Sequence, residues 1–149
     1  MKALRCRKGA AAVEFAFVLP MLLLLVFGII EFGLLMYNQQ VITNASREGA
    51  RAGIVQQSPR LALANIDPIV QNYCASHLIT FAAGGATPVT TLGATGTCTA
   101  FGDDLQLTVT YAYKFLVVSN IISAFPAFLG SSSIPGTVTL TAKTVMRCE

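Results

Sequence analysis

Cys74 and His77 are the residues whose types and spacing most resemble a catalytic pair. The C-x-x-H spacing can place a thiol and an imidazole on one helix face, as a cysteine nucleophile and its base require. No third group that could orient the imidazole is evident. Asp103 and Asp104 follow Gly102 in the manner of turn residues rather than of an acid pair. We therefore expect the chain not to be an enzyme.

The four cysteines are Cys6, Cys74, Cys98 and Cys148. None forms a C-x-x-C pair, so we expect no zinc site, no other metal, no redox motif and no cofactor. If the last three face an oxidising compartment, two of them should form a disulfide. We predict a bridge between Cys74 and Cys98 that closes a loop of about 25 residues. On strands either side of a central one, Cys98 and Cys148 would be about 9–10 Å apart, beyond disulfide reach, leaving Cys148 free or bridged to another subunit.

The basic residues are concentrated in the first nine positions, as Lys2, Arg5, Arg7 and Lys8. The rest of the chain has six basic residues against seven acidic ones, so the net charge of +3 comes from this leader. Such a leader orients a membrane segment, whereas nucleic-acid binders cluster their cations on a folded face. We expect neither a nucleic-acid partner nor a small-molecule substrate.

A composition of 54% apolar and 11% charged residues indicates a membrane segment. Residues 10–37 are almost continuously apolar and long enough to cross a bilayer as a helix. The alternative, a cleaved secretory signal, does not fit because the run is too long and has no A-x-A-like site at its distal end. We predict a leader at 1–9, a transmembrane helix at 10–37 with its N-terminus cytoplasmic, and a periplasmic domain at 38–149.

Helical periodicity continues beyond the membrane segment and predicts one helix from near Ala10 to about Gln57, with a stop at Ser58-Pro59. A second helix is predicted from Asp67 to Ile79. There Asp67 is placed to cap the free amides and Pro68 to occupy the first turn.

Alternating patterns predict strands over residues 105–115 and 137–147, and the Gly/Thr/Ala-rich region before them predicts a short strand at residues 89–92. Gly102-Asp103 is expected to close a hairpin with residues 97–101. The predicted fold class is therefore α+β, with a small antiparallel sheet packed against one or both helices. The uncharged apolar stretch 116–129 is expected to cover the sheet in part, the alternative being an apolar patch exposed for a partner or the bilayer surface.

The most specific motif is Arg7-Lys8-Gly9 followed by three alanines, Val13 and the pair Glu14-Phe15. It resembles the class III signal of type IV pilins, and more closely the TadE-like proteins of tight-adherence (Flp, type IVb) pilus systems. The likeness extends through residues 18–20, 27–33 and 43–52, and a short match near the C-terminus is weak. The resemblance implies prepilin-peptidase cleavage between Gly9 and Ala10. It also implies that Glu14, next to Phe15, takes part in subunit assembly, or else only positions the helix.

Three further charged residues are candidates for contact with a partner subunit. Glu31 lies about 24 Å along the helix from Phe15, near the outer interface, where we expect it to be solvated unless it contacts a neighbouring helix. Arg47 and Arg51 are four residues apart and therefore share a helix face. That face is either a solvated stripe or a docking point.

Two functions remain open from the sequence. The first is a minor pseudopilin that serves the assembly of a tight-adherence pilus or a related secretion filament. Its partners would be the prepilin peptidase, other pilin subunits, the assembly platform and the bacterial inner membrane. The second is a membrane-tethered periplasmic binding or adhesive module with ligand contacts on its sheet.

Overall fold

The computed structural model describes residues 4–55, 61–80, 87–93, 96–117 and 136–149. They form α1 (Leu4–Ile54), α2 (Leu63–His77), β1 (Val89–Leu92), β2 (Asp104–Lys114) and β3 (Thr137–Arg147). This confirms the predicted α+β class, with a long N-terminal helix, a second helix and a small antiparallel sheet. The predicted stop at Ser58-Pro59 and residues 118–129 of the apolar stretch lie outside the described residues.

The long helix α1 is continuous over 51 residues, with Pro20 inside it. It begins at Leu4, earlier than the predicted start near Ala10. Its length and composition allow it to cross a membrane. It ends at Ile54, whose carbonyl accepts a hydrogen bond from the backbone N–H of Glu149. The C-terminus of the chain therefore closes the distal end of α1.

The sheet has the order β1-β2-β3, and both pairs are antiparallel. The alternation predicted for β2 is confirmed, because every second residue from Leu105 to Tyr113 is buried. Strands β1 and β3 also lie where the sequence placed them. The central Val109 pairs with Thr90 on one side and Ala142 on the other, so all three face the helices.

The distal half of α1 and helix α2 pack on this one face of the sheet. Gly49 and Gly53 allow them to come close. A Cβ at Gly49 would lie 2.6 Å from Cγ2 of Val70 and 2.8 Å from Cδ2 of Leu107, and one at Gly53 would lie 2.9 Å from Cδ1 of Ile66. The two glycines, one turn apart, therefore let side chains of α2 and the sheet pack directly against the backbone of α1.

The predicted start of α2 at Asp67 is wrong, and so is its end at Ile79. The helix begins at Leu63 after an extended Ala62 that provides no side-chain cap, and Pro68 lies inside it. An internal proline removes one backbone hydrogen bond. The extra N-terminal turn places Ile66, which is fully buried, against Gly49 and Gly53, and we attribute the early start to this packing.

The predicted hairpin between residues 97–101 and β2 is also wrong. The carboxylate of Asp103 accepts hydrogen bonds from the backbone N–H groups of Thr99 and Ala100 and from the Thr99 hydroxyl. Gly102 has a φ of +87°, a left-handed conformation that suits glycine. These contacts curl the segment, and β1 occupies the edge of β2 instead.

The disulfide joins Cys98 to Cys148, with 5.9 Å between their Cα atoms. The predicted pairing of Cys74 with Cys98 is therefore wrong, and Cys74 is a buried free thiol. Cys98 lies in the loop before β2 and not on a strand, so no central strand separates it from Cys148. Cys148 continues the β2–β3 ladder by donating its N–H to Asp103 O at 2.7 Å.

Candidate functional site: an exposed apolar helix joined to the domain

The proximal part of α1 has no packing partner among the residues that the structure describes. Residues 9–18 are all exposed. We call residues 10–30 the exposed helix. Its large apolar side chains more than two-fifths exposed are Val13, Phe15, Phe17, Val18, Met21, Leu22, Leu23, Leu25, Val26, Ile29 and Ile30. At 1.5 Å per residue this segment is about 31 Å long, which matches a hydrocarbon core of about 30 Å.

The predicted processing and assembly residues lie at the start of the exposed helix. Glu14 makes no hydrogen bond or ion pair to any described residue, and Phe15 is exposed. Ala10 and Glu14 are four residues apart and thus lie on the same face of α1. A Cβ at Gly9 would meet nothing within 4 Å. Packing among the described residues therefore does not require glycine at that position.

Glu31 marks the point where the helix meets the domain, and the expectation that it is solvated is wrong. Its side chain is only 4% exposed. Its carboxylate accepts hydrogen bonds from the backbone N–H groups of Leu116 and Val117, just beyond the end of β2. The pKa of Tyr113 is raised by burial, with smaller contributions from the negative charge of Glu31 and from Tyr111.

Three further polar side chains attach α1 to the domain. The Asn38 amide donates to the backbone carbonyl of Ile79 at 2.9 Å and accepts from its N–H at 3.1 Å. Gln39 donates to Thr141 O at 3.0 Å, and the hydroxyls of Ser46 and Thr144 are 2.6 Å apart. Asn38 and Ser46 are fully buried. The amide and hydroxyl contacts fix the rotation of α1 relative to the sheet.

Arg47 and Arg51 point away from the core. Both are exposed, and neither forms an ion pair or hydrogen bond within the described parts of the chain. The structure thus places them on one open face of α1, apart from Glu31, which is buried. The three predicted contact residues do not form a single surface.

Cys74 and His77 are not brought together as a reactive pair. Cys74 is fully buried, and burial raises its pKa to about 11. His77 is exposed; its ring stacks on Tyr73 with centroids 4.4 Å apart, and its Nδ1 lies 2.8 Å from Tyr73 O. A buried neutral thiol is a poor nucleophile.

The part of the chain that contains these helix residues matches a known family. Residues 9–51 match the family model of TadE-like proteins. The chain is similar to TadE-like proteins over this segment. The match confirms the resemblance seen in the sequence and indicates a protein associated with a tight-adherence pilus and its components. No curated protein and no solved structure gives a significant match.

The TadE-like segment, residues 9–51, combines two surfaces. It contains the whole exposed helix and then the buried positions Glu31, Asn38, Ser46 and Gly49, which join α1 to the domain. Sequence reasoning did not find the roles of these four residues. The signal for Glu31 was its charge in an apolar run, which is costly without a partner.

Proposed function

We propose that the chain is a minor pseudopilin needed for assembly of a tight-adherence pilus or related secretion filament, and that it is not an enzyme. The observation that supports this most is the bare apolar helix carrying Glu14, which has no partner in the described chain. Helix surfaces of this kind are buried by lipid or by other apolar helices. Neighbouring pilin subunits and the assembly platform are the proposed partners.

Processing supplies the partner of Glu14 in this proposal. A prepilin peptidase cuts between Gly9 and Ala10 and creates an ammonium group at Ala10. The Glu14 carboxylate of an adjacent subunit pairs with it, which lowers the cost of both charges away from water. The open space around Gly9 supports the proposal, because glycine there has no packing role in the described part of the chain.

In this proposal the N-terminus is cytoplasmic and the domain is periplasmic, anchored in the bacterial inner membrane by a single pass. The four basic residues of the leader favour that orientation. The disulfide between Cys98 and Cys148 supports it, because disulfides persist in the periplasm and are rare in the cytosol.

N-terminal sequencing of the chain from its native membranes tests the proposal. We expect a mature protein that begins Ala10-Ala11-Ala12-Val13-Glu14, and a Gly9→Lys variant that keeps its leader. An intact Met1 on a membrane-tethered monomer that makes no contact with pilus subunits would contradict the proposal. That result would favour a binding or adhesive module.

A further inference from the structure

The edge strand β1 and helix α2 border a groove that the proposed function does not use. One cavity of about 460 Å³ is lined by Leu63, Ala64, Asp67, Gln71, Pro88, Val89 and Thr90. A second, of about 220 Å³, shares Gln71 and Pro88 with it and extends toward Thr87. The shared contact is a hydrogen bond of 2.5 Å from Gln71 Nε2 to Pro88 O. The groove therefore runs along β1 and the residues that precede it.

Thr90, which lines this groove, has a buried polar atom without a partner in the described part of the chain. The residue is only 9% exposed and faces the helices, because it pairs with the buried Val109. Its hydroxyl oxygen has no hydrogen-bond partner among the residues that the structure describes. An unsatisfied buried hydroxyl is costly, and native proteins rarely keep one. A ligand that reaches it would satisfy it.

The backbone of β1 offers hydrogen bonds along the same groove. Gly93 N–H donates to Gln106 O, so the residues of β1 that bond to β2 are Val89 and Thr91. The N–H and C=O groups of Thr90 and Leu92 consequently point outward. In the described sheet no strand lies on that side of β1. Groups two residues apart on a strand have the spacing that another extended chain matches.

The opposite edge of the sheet is protected. The side chain of Gln39, from α1, donates a hydrogen bond to the outward carbonyl of Thr141 on β3. The solvent-facing side chains of β3 include Lys143 and Arg147. Charged side chains on an edge strand discourage the addition of another strand. The sequence of β1, Val-Thr-Thr-Leu, has no charge.

We propose that the β1–α2 groove binds an uncharged, extended peptide segment of another protein on the same side of the membrane. The segment adds to β1 through the backbone groups of Thr90 and Leu92. A hydroxyl or amide side chain of the segment bonds to the Thr90 hydroxyl and reaches the Asp67 carboxylate. That carboxylate disfavours an acidic peptide. This site is separate from the exposed helix and does not depend on cleavage after Gly9.

The test uses the full chain in detergent micelles and a phage library of random ten-residue peptides. Peptides are selected on the wild type, and their affinities are then measured on Thr90→Val, Thr90→Pro and Thr91→Val. We expect selected peptides to be uncharged and to lose at least tenfold in affinity on Thr90→Val, which keeps the fold and raises its melting temperature. Thr90→Pro, which also removes the outward N–H, should bind still less.

Thr91→Val is the matched control, because its side chain lies on the other face of the same strand, and it should bind like the wild type. In ¹⁵N NMR spectra, hydrogen exchange at Thr90 and Leu92 should be fast in the free chain and slow at least tenfold with peptide. Equal affinities for Thr90→Val and wild type would overturn the proposal. Exchange at both amides that is slow without peptide, and slows further as the protein concentration rises, would also overturn the proposal. A second copy of the chain would then occupy the groove.

Discussion

Asn38, in the distal half of α1, and Ile79, just after α2, satisfy each other with one donor and one acceptor each, at 2.9 and 3.1 Å. Asn38 is fully buried, so its loss leaves the backbone groups of Ile79 without these bonds. We expect Asn38→Ala to destabilise the domain by about 2–3 kcal/mol.

Urea titration of the full chain in detergent, followed by tyrosine fluorescence, measures this loss. Asn44→Ala is the matched control, since Asn44 lies on the exposed side of the same helix. It should change the free energy of unfolding by less than about 0.5 kcal/mol. Equal stability of the two variants would show that the Asn38 contact is not needed.

Gly49→Ala introduces a methyl group where the helices and sheet are closest. Alanine favours the helix by about 1 kcal/mol, but overpacking typically costs about 1–3 kcal/mol. Val70 is β-branched and cannot easily move away from a Cβ at 2.6 Å. We expect a net loss of roughly 1 kcal/mol in the same titration, whereas Gly28→Ala, where the added Cβ meets nothing, should leave the domain as stable as the wild type.

Cys98→Ser should lower the free energy of unfolding by about 4 kcal/mol in the chain-entropy model, because the bridge closes a loop of about 50 residues. Peptide mapping without reductant should recover a linked pair containing Cys98 and Cys148. Detection of Cys74 joined to Cys98 would contradict the structure. Cys74→Ala removes no bridge and serves as the control, with a smaller loss.

Cys74 should be almost unreactive in the folded chain. With its pKa raised from 9.0 to about 11, the thiolate population at pH 8 falls about 100-fold, before any steric protection. Iodoacetamide labelling, followed by mass spectrometry of the peptide that contains Cys74, should therefore be at least 100-fold slower in the native chain than in guanidinium. Similar rates in both would show that the thiol is not buried.

Glu14→Gln separates charge from size at the start of the exposed helix. We expect normal membrane insertion, because a neutral side chain is less costly in lipid, and cleavage nearly as in the wild type, but a loss of most pilus production. Pili are counted by electron microscopy, and Glu48→Gln on the exposed distal part of α1 is the control. Wild-type piliation in the Glu14 variant would limit that residue to positioning the helix.

Much of the fold follows from local pattern. Strands β2 and β3 were predicted within one residue because one face of each is buried, which forces alternation over 11 residues. The apolar run likewise predicted α1. The start of α2 was missed because the Asp67-Pro68 signal is local, whereas the packing of Ile66 against α1 is not.

The errors at Cys98 and Glu31 have the same origin. The predicted disulfide assumed that Cys98 lies on a strand, but the hydrogen bonds of Asp103 curl that segment into a turn. Two partners of Glu31 are backbone N–H groups 85 and 86 residues away, and backbone amides have no sequence signature. Contacts of this kind can be found only once the topology is known.

The attachment of the domain at Glu31 has a mechanical consequence. Because α1 is unbroken from Leu4 to Ile54 and is held at Glu31 and Asn38, no flexible neck separates the exposed helix from the domain. Each residue of an α-helix advances about 1.5 Å and turns about 100°. In any assembly built through this helix, a slip of one residue in register would swing the domain through about 100°. The axial position of the helix in such an assembly therefore also sets the direction in which the domain faces.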